Sequence, residues 1–297
     1  MARQPPDDLP PTGGTGPAVS ARAPAAVVPR LAPRWLDPSF PPLNDDLDAR
    51  VVLDARDALW RPSPVAGIEV RVLELIGGRR PRASAQLRLA PGREAASLGA
   101  TTDVEMLVQA GELEAGPNVW PAGLYVRLPA NGEERFDELV LRAVGDAPPD
   151  VGSAAPSGAL LYVATGHIAP SDTEQRRIDM HDARRWLPGP VQGTEVLPLH
   201  GHGSGNVMLI RWLGAVAFRP NLDPLGEEVL VLEGRLHDAE GEYTAGTWIR
   251  NPIPAWQSWS ADPGTVAYYK NGHFATRPEV GSPPVRARAD ARGRDRG

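Results

Sequence analysis

Histidines supply the first candidates for chemistry, because an imidazole can hold a metal ion or carry a proton near neutral pH. The string Leu199-His-Gly-His-Gly-Ser-Gly-Asn206 sets His200 and His202 two residues apart, on one face of a strand end. Two readings stand for this pair: metal ligands, or the tip of a glycine-rich hairpin. The string is not a phosphate loop, since no lysine follows its glycines and no helix is expected after it. His167 and His273 each follow a glycine, in Gly166-His-Ile168 and Gly272-His-Phe274, and read as structural. His237 sits on an acidic turn and reads as exposed. Ser204, His202 and Asp223 can be nominated for a hydrolase triad, but no nucleophile elbow surrounds the serine. The chain has no cysteine, which excludes thiolate nucleophiles, thiolate metal sites and disulfides.

The bulk composition limits what can position these groups. With 297 residues, 41% of them hydrophobic, the chain can bury the cores of two ordinary domains. Its 31 glycines and 33 prolines predict many turns and few long helices. The net charge of −6 argues against a broad nucleic-acid surface. No apolar run approaches the ~18 residues of a membrane span, and no apolar stretch follows the first basic residue as in a secretory leader, so a cytoplasmic location is expected. Lys270 is the only lysine, and the dominance of arginine reads as genome composition rather than function. Residues 1–30 and 281–297 have no apolar period and are expected to be disordered tails. The second tail carries five Arg against two Asp, a solvated end or an arm for an acidic partner.

Between the tails the sequence repeats. Trp60-Arg-Pro-Ser-Pro-Val-Ala-Gly-Ile-Glu-Val70 returns as Trp186-Leu-Pro-Gly-Pro-Val-Gln-Gly-Thr-Glu-Val196, an offset of 126. Glu105-Met-Leu-Val-Gln-Ala-Gly111 matches Glu228-Val-Leu-Val-Leu-Glu-Gly234 at an offset of 123, and Trp120-Pro-Ala-Gly-Leu-Tyr-Val-Arg-Leu-Pro129 matches Tyr243-Thr-Ala-Gly-Thr-Trp-Ile-Arg-Asn-Pro252 at the same offset, which pairs Arg127 with Arg250. Gly158, Tyr162, Gly166 and His167 match Gly264, Tyr268, Gly272 and His273 at an offset of 106. Four matches in one order indicate a duplication. Each copy consists of short β-branched and aromatic runs bounded by Gly, Pro, Asn and Asp, the pattern of strands in a sandwich or barrel. The copies are expected over residues 31–170 and 171–280.

The second copy resembles the cupin superfamily, a double-sheet jelly roll, and is most similar to the ChrR-like cupin domain, the sensory half of zinc-dependent anti-sigma factors. The resemblance rests on Phe218-Arg-Pro-Asn-Leu-Asp-Pro-Leu-Gly-Glu-Glu-Val-Leu-Val-Leu-Glu-Gly234, then on His237-Asp-Ala-Glu-Gly-Glu-Tyr-Thr-Ala-Gly246 and Thr247-Trp-Ile-Arg-Asn-Pro252. It implies an all-β chain of two tandem cupin (jelly-roll) β-barrels, a bicupin. The family's paired metal-binding histidines fall on Asn221 and Asp223, its glutamate is kept as Glu227, and its third histidine falls on Gln257. Pro254 replaces a turn glycine. In the first copy the corresponding positions are Leu98, Ala100, Val104 and Glu134, so that barrel is expected to be structural, with an apolar interior.

What the resemblance implies for chemistry follows from these departures. Asn221, Asp223, Glu227 and Gln257 offer only oxygen, which suits Mg, Ca or Mn better than a transition ion. The expectation is a polar pocket without a cofactor, with a divalent ion as the alternative. Asp223 and Glu227 so close together would repel, and one should take a proton unless a cation lies between them. Arg211 and Arg250 are candidates for that cation, although Arg88 and Arg127 in the metal-free copy favour a structural role. Trp248 and Tyr268, with Trp256 and Trp259, are further candidates to line a ligand pocket. The expected function is a sensory or regulatory module that binds a small polar ligand in the second barrel. The alternatives are a metal-dependent, dioxygenase-like enzyme, or a metal-free enzyme with Asp223 and Glu227 as acid and base. The sigma-binding zinc domain has no counterpart in residues 1–30. By resemblance a homodimer and a protein partner are both open, the alternative to dimerisation being that two barrels in one chain already supply that interface; a membrane or nucleic acid is not expected.

Overall fold

The computed structural model describes residues 33–57, 59–77, 81–91, 94–95, 103–134, 140–144, 158–218 and 221–275, with the backbone alone at 94–95, 221–223, 256–257 and 275. The two expected tails lie outside these residues. The principal strands are β1 (Val51–Leu53), β2 (Ile68–Ile76), β3 (Arg82–Leu89), β4 (Val104–Ala110), β5 (Leu124–Leu128), β6 (Ala159–Thr165) and β7 (Arg176–Asp179). They continue as β8 (Thr194–His202), β9 (Gly205–Trp212), β10 (Asn221–Asp223), β11 (Glu227–Glu233), β12 (Trp248–Asn251), β13 (Ala255–Gln257) and β14 (Val266–Asn271).

These strands build two antiparallel seven-stranded sheets. The first runs β7-β5-β4-β6-β3-β2 and ends on Arg61–Pro62; the second runs β1-β12-β11-β14-β9-β8 and ends on Leu187–Pro188. Each copy also contributes a four-stranded sheet, and β10 pairs with β13. A large sheet packed over a small one is the double-sheet jelly roll, present here twice. The order of the large sheets reveals an exchange. Strand β1, from the first sequence copy, pairs with β12 of the second, Val51 opposite Arg250 and Leu53 opposite Trp248. Strand β7, from the second copy, pairs with β5 of the first, Arg176 opposite Arg127. The division at residues 170 and 171 therefore separates the sequence copies but not the sheets. Each exchanged strand covers an edge that would otherwise be open to pairing.

Side-chain alternation explains what lies between the layers. In β4, Val104, Met106 and Val108 enter the first sandwich core, while Leu107 faces the other way with Glu105. In β11, Val229 and Val231 enter the second sandwich core with Glu227 on their face, while Leu230 faces away with Glu228. Both faces of the large sheets are therefore buried. A third core, with Leu73, Leu107, Tyr162, Leu197, Leu209, Leu230, Trp248 and Tyr268, fills the seam between the two large sheets.

Candidate functional site: a charged seam between the sheets

The seam is apolar at its flanks and polar at its heart. Residues made equivalent by the repeat meet there. The rings of Tyr162 and Tyr268 lie 5.2 Å apart, and those of His167 and His273 lie 5.3 Å apart at an interplanar angle of 9°. A residue in contact with its own equivalent marks a local two-fold axis, as in an isologous dimer interface. The histidines reach it because each follows a glycine at φ 74°. A Cβ on Gly166 would stand 2.8 Å from the Pro81 carbonyl oxygen, and one on Gly272 would stand 2.5 Å from Gly205 Cα. Positive φ and backbone contact together require glycine at both turns.

A directed chain of hydrogen bonds crosses the seam. Lys270 Nζ donates to Glu105 Oε2 and, at 3.2 Å, to His167 Nδ1. An ammonium can only donate, so the network assigns the proton of neutral His167 to Nε2, which lies 3.4 Å from Ser84 Oγ. Ser84 Oγ in turn donates to Glu228 Oε1 at 3.0 Å. Glu228 Oε1 also accepts from the Tyr162 hydroxyl and, at 2.6 Å, from Trp248 Nε1. His273 Nε2 is 3.2 Å from Glu228 Oε2.

Burial and charge set the protonation states. Burial lowers His167 well below the ordinary histidine value, and the charges of Lys270 and Arg82 add to this. His273 falls to about 3, through burial first and Arg82 second, despite its hydrogen bond to Glu228. Both imidazoles are thus neutral at pH 7. Burial alone would raise Glu105 and Glu228. The charges of Lys270 and Arg127 hold Glu105 below the usual carboxylate range instead. For Glu228 the hydrogen bonds from His273 and Tyr162 and the Lys270 charge do the same. Burial raises Tyr162 and Tyr268 well above 10, so both stay as donors. Burial also raises Asp103, which accepts the backbone N–H of His167 at 2.9 Å and of Ile168 at 2.7 Å.

The two ends of the seam differ. At one end Arg82 Nε lies 2.8 Å from Glu74 Oε1, and Arg250 pairs with the other oxygen of Glu74. At the other end, strand register puts Gly205 where Arg82 stands and His200 where Glu74 stands. Among the described residues no side chain fills that space. A cavity of about 220 Å³ opens there, lined by Glu105, Arg127, His167, Asp172, His200, His202, Gly205, Asn206, Lys270, Asn271 and His273 among others. Arg127 Nη2 lies 2.5 Å from Asp172 Oδ2, and His200 Nε2 lies 2.8 Å from the same oxygen. Burial would raise Asp172, but the His200 hydrogen bond and the Arg127 charge hold it low. The His-Gly-His hairpin tip thus forms the mouth of this cavity.

Several residues proposed from the sequence lie elsewhere. Arg250 is on the seam face of β12, where it bonds Glu74 and the carbonyls of Asn44 and Asp46. Trp248 and Tyr268 share that face, bonded to Glu228 and tilted against the Tyr162 ring respectively. All three therefore point away from Glu227, because neighbouring strand positions alternate between faces. Arg211 packs over Trp186 at 4.3 Å and pairs with Glu195, just as Arg88 lies over Trp60 at 3.8 Å near Glu69. It is a repeated structural clip, not a pocket cation. Glu227 is buried in the second sandwich, where its Oε1 accepts from Asn251 Nδ2 at 2.8 Å and Trp259 Nε1 at 3.0 Å. The nearest described cation of that network is Arg50, whose Nε donates to Asn251 Oδ1 at 2.9 Å. Asn221 stands opposite Gln257 in the β10–β13 register, and Asp223 opposite Ala255; their side chains, and that of Trp256, are outside the described residues. In the first copy, Val104 occupies the position of Glu227 in an apolar core, and Glu134 pairs with Arg177 at the surface. Leu98 and Ala100 lie outside the described residues.

Neither metal-binding arrangement fits a transition ion. The positions at which the cupin resemblance implies imidazoles carry none. In the seam, His167, Glu228 and His273 bring donor atoms within 4.8 Å of one another. The Lys270 ammonium on His167 Nδ1 leaves the proton on Nε2, the atom that faces Glu228 through Ser84. A metal-bound imidazole instead donates its second nitrogen to an acceptor.

Fold and seam define a duplicated cupin, two jelly rolls joined through their large sheets. The family model for the ChrR Cupin-like domain matches residues 48–137 and 174–275, so the chain belongs to that family. No curated protein matches the sequence. Among solved structures, a candidate glyoxylate-induced protein from Pseudomonas aeruginosa superposes with a TM-score of 0.56 at 16% identity, covering 82% of this chain and 95% of that one. A candidate dioxygenase from Nostoc punctiforme gives 0.55 at 15%, covering 78% and 85%. Ylba of Escherichia coli gives 0.52 at 10%, covering 79% and 95%. At these identities the likeness is one of fold.

Proposed function

We propose that the protein is a ligand-responsive cupin module whose small polar ligand sits in the seam cavity. The carrying observation is the cavity itself: a space of about 220 Å³ that exists because Gly205 replaces the equivalent of Arg82. Its walls come from both large sheets, Glu105, Arg127 and His167 from one and His200, Lys270 and His273 from the other. A molecule bound there touches both halves, so its binding energy is coupled to how the halves pack. The volume lies below the range of drug-sized pockets, which sizes the ligand as a small metabolite. The lost imidazoles of the barrel interior support a binding role over oxygen chemistry.

The test is a thermal-shift screen of small polar metabolites against the wild type and Gly205→Arg. The substitution fills the cavity as Arg82 fills the other end. A ligand at 100 times its Kd stabilises by about 2.7 kcal/mol, and the variant should lose that shift. A metabolite that stabilises both proteins equally, or a screen with no binder, overturns the reading.

A second reading keeps the ligand inside the second barrel, beside Glu227. The Asn221–Gln257 register favours it, because it sets two of the four oxygen-bearing residues opposite each other. Metal analysis of protein purified without chelator, against Asp223→Ala, tests this. Stoichiometric Mg, Ca or Mn that disappears in the variant would establish it.

A further inference from the structure

The polar atoms of the seam cavity are not evenly satisfied. The acceptors are taken: Glu105 Oε1 receives the Tyr125 hydroxyl at 3.0 Å and faces the Arg127 charge with Nε 3.4 Å away, and its Oε2 receives Lys270. Asp172 Oδ1 receives Arg127 and the Glu174 N–H, and its Oδ2 receives Arg127 and His200. The donors are not all used. Lys270 is only 3% exposed and carries three N–H bonds, of which, among the described residues, Glu105 and His167 take two. The buried Tyr268 hydroxyl, two positions along β14 and behind the cavity wall, has no hydrogen-bond partner among the described residues. His202, at the mouth, stands 3.7 Å from Asp172 and 3.4 Å from Ser171. Leaving a buried ammonium N–H unmatched costs about 1–3 kcal/mol, so the cavity favours a guest that presents an acceptor to Lys270.

The chemistry of Lys270 points the same way. Every other basic side chain in the protein except histidine is arginine, yet the one lysine lies at the cavity floor, where its repeat equivalent is Ala164. An ammonium is a compact charge with rotatable donors and leaves room for a guest where the planar guanidinium would fill it.

We infer that the seam cavity binds a small carboxylate-bearing metabolite, with its carboxylate on the Lys270 ammonium and its outer end near His202. This rests on the seam cavity being the ligand seat and adds the class of ligand. Glu105 stays paired with Lys270 and Arg127, and Asp172 with Arg127 and His200, so neither carboxylate opposes the guest unscreened.

Calorimetric titration of the full chain, at constant ionic strength with sodium chloride, tests it. The probes are acetate, pyruvate and malonate, with acetamide and malonamide as neutral counterparts. At least one acid should bind with 1:1 stoichiometry, and its amide at least tenfold more weakly. Lys270→Met should lose at least tenfold in affinity for that acid. Because that variant strands Glu105, the exposed His202→Gln is measured beside it and should lose several-fold while folding normally. Acids and amides binding alike would overturn the carboxylate assignment and leave the cavity as a ligand seat. No acid binding, with a hit in the metabolite screen, would overturn it too. No binder in either experiment removes both readings.

Discussion

Glu105 and Glu228 occupy equivalent positions in the two copies, and one chain of hydrogen bonds joins them through Lys270, His167 and Ser84. Each glutamate belongs to a different large sheet. The chain therefore ties the halves together by charge and hydrogen bonds where a sheet-on-sheet contact would ordinarily be apolar. Such a seam is sensitive to protons, to the loss of one partner and to what fills its ends.

Acid should loosen the seam before it titrates the carboxylates. His273 has a folded-state value of about 3 against 6.5 for a free side chain, and His167 is lowered in the same sense. Between those values the unfolded chain binds protons that the native state refuses. The contribution is complete above about pH 6.5 and is lost as pH falls towards 3, at about 1.4 kcal/mol per pH unit for each imidazole. Urea midpoints should therefore fall between pH 6.5 and 5, above the range where Glu105 and Glu228 contribute. The double variant His167→Gln/His273→Gln should flatten that slope, and an unchanged slope in it would refute the assignment.

Removing one member of the buried ion pair should cost far more than removing both. Lys270→Met leaves the Glu105 carboxylate with Arg127 as its one described cation, beside the Tyr125 hydroxyl, in a site 2% exposed. The expected loss is about 3–5 kcal/mol by urea denaturation. Adding Glu105→Leu removes the stranded charge and should recover most of it. A single variant within 1 kcal/mol of wild type would show that Lys270 contributes nothing to the packing of the seam.

How much of this was legible beforehand depends on which face of a strand is asked about. The duplication, the strands and the jelly-roll halves follow from short apolar runs and from repeat spacing, because those patterns report local backbone and core packing. The seam does not, because a chain that buries both faces of a sheet loses the polar alternation that separates inside from outside. The signal was present in Glu227-Glu228, two carboxylates in succession within an apolar strand, which place one charge on each buried face. Resemblance drew attention to Glu227 alone. The resemblance makes Trp248, Arg250 and Tyr268 candidates for its pocket, whereas strand alternation puts them with Glu228. The exchange of β1 and β7 could not be read from a repeat, since equivalent strands are interchangeable in sequence.

That exchange makes an isolated half incomplete. Residues 174–275 without β1 leave the edge of β12 unpaired and remove the Asn44 and Asp46 carbonyls that Arg250 bonds. Open edges of this kind pair with other chains. The fragment should run as an oligomer or aggregate in size-exclusion chromatography with light scattering. A monomer with dispersed amide resonances would show that the exchanged strand is dispensable.

The two ends of the seam should answer oppositely to swapping their residues. Arg82→Gly removes one of the two cations on Glu74, a side chain with no solvent exposure, and leaves Arg250 as its only partner. Breaking a fully buried pair costs about 3–5 kcal/mol, and the emptied volume adds a cavity term. Gly205→Arg meets a different situation. A Cβ at Gly205 lies 3.1 Å from the Asn271 carbonyl oxygen and 3.5 Å from that of His202. The backbone must yield by a few tenths of an ångström, and the guanidinium then enters a cavity that already holds His200 and Asp172. The expected change is within about 1 kcal/mol of wild type, because filling space and pairing with Asp172 offset the crowding. Denaturant titration of both variants distinguishes the cases. If Gly205→Arg were the more damaging of the two, the equivalence of Gly205 and Arg82 would be wrong, and the cavity would need another origin.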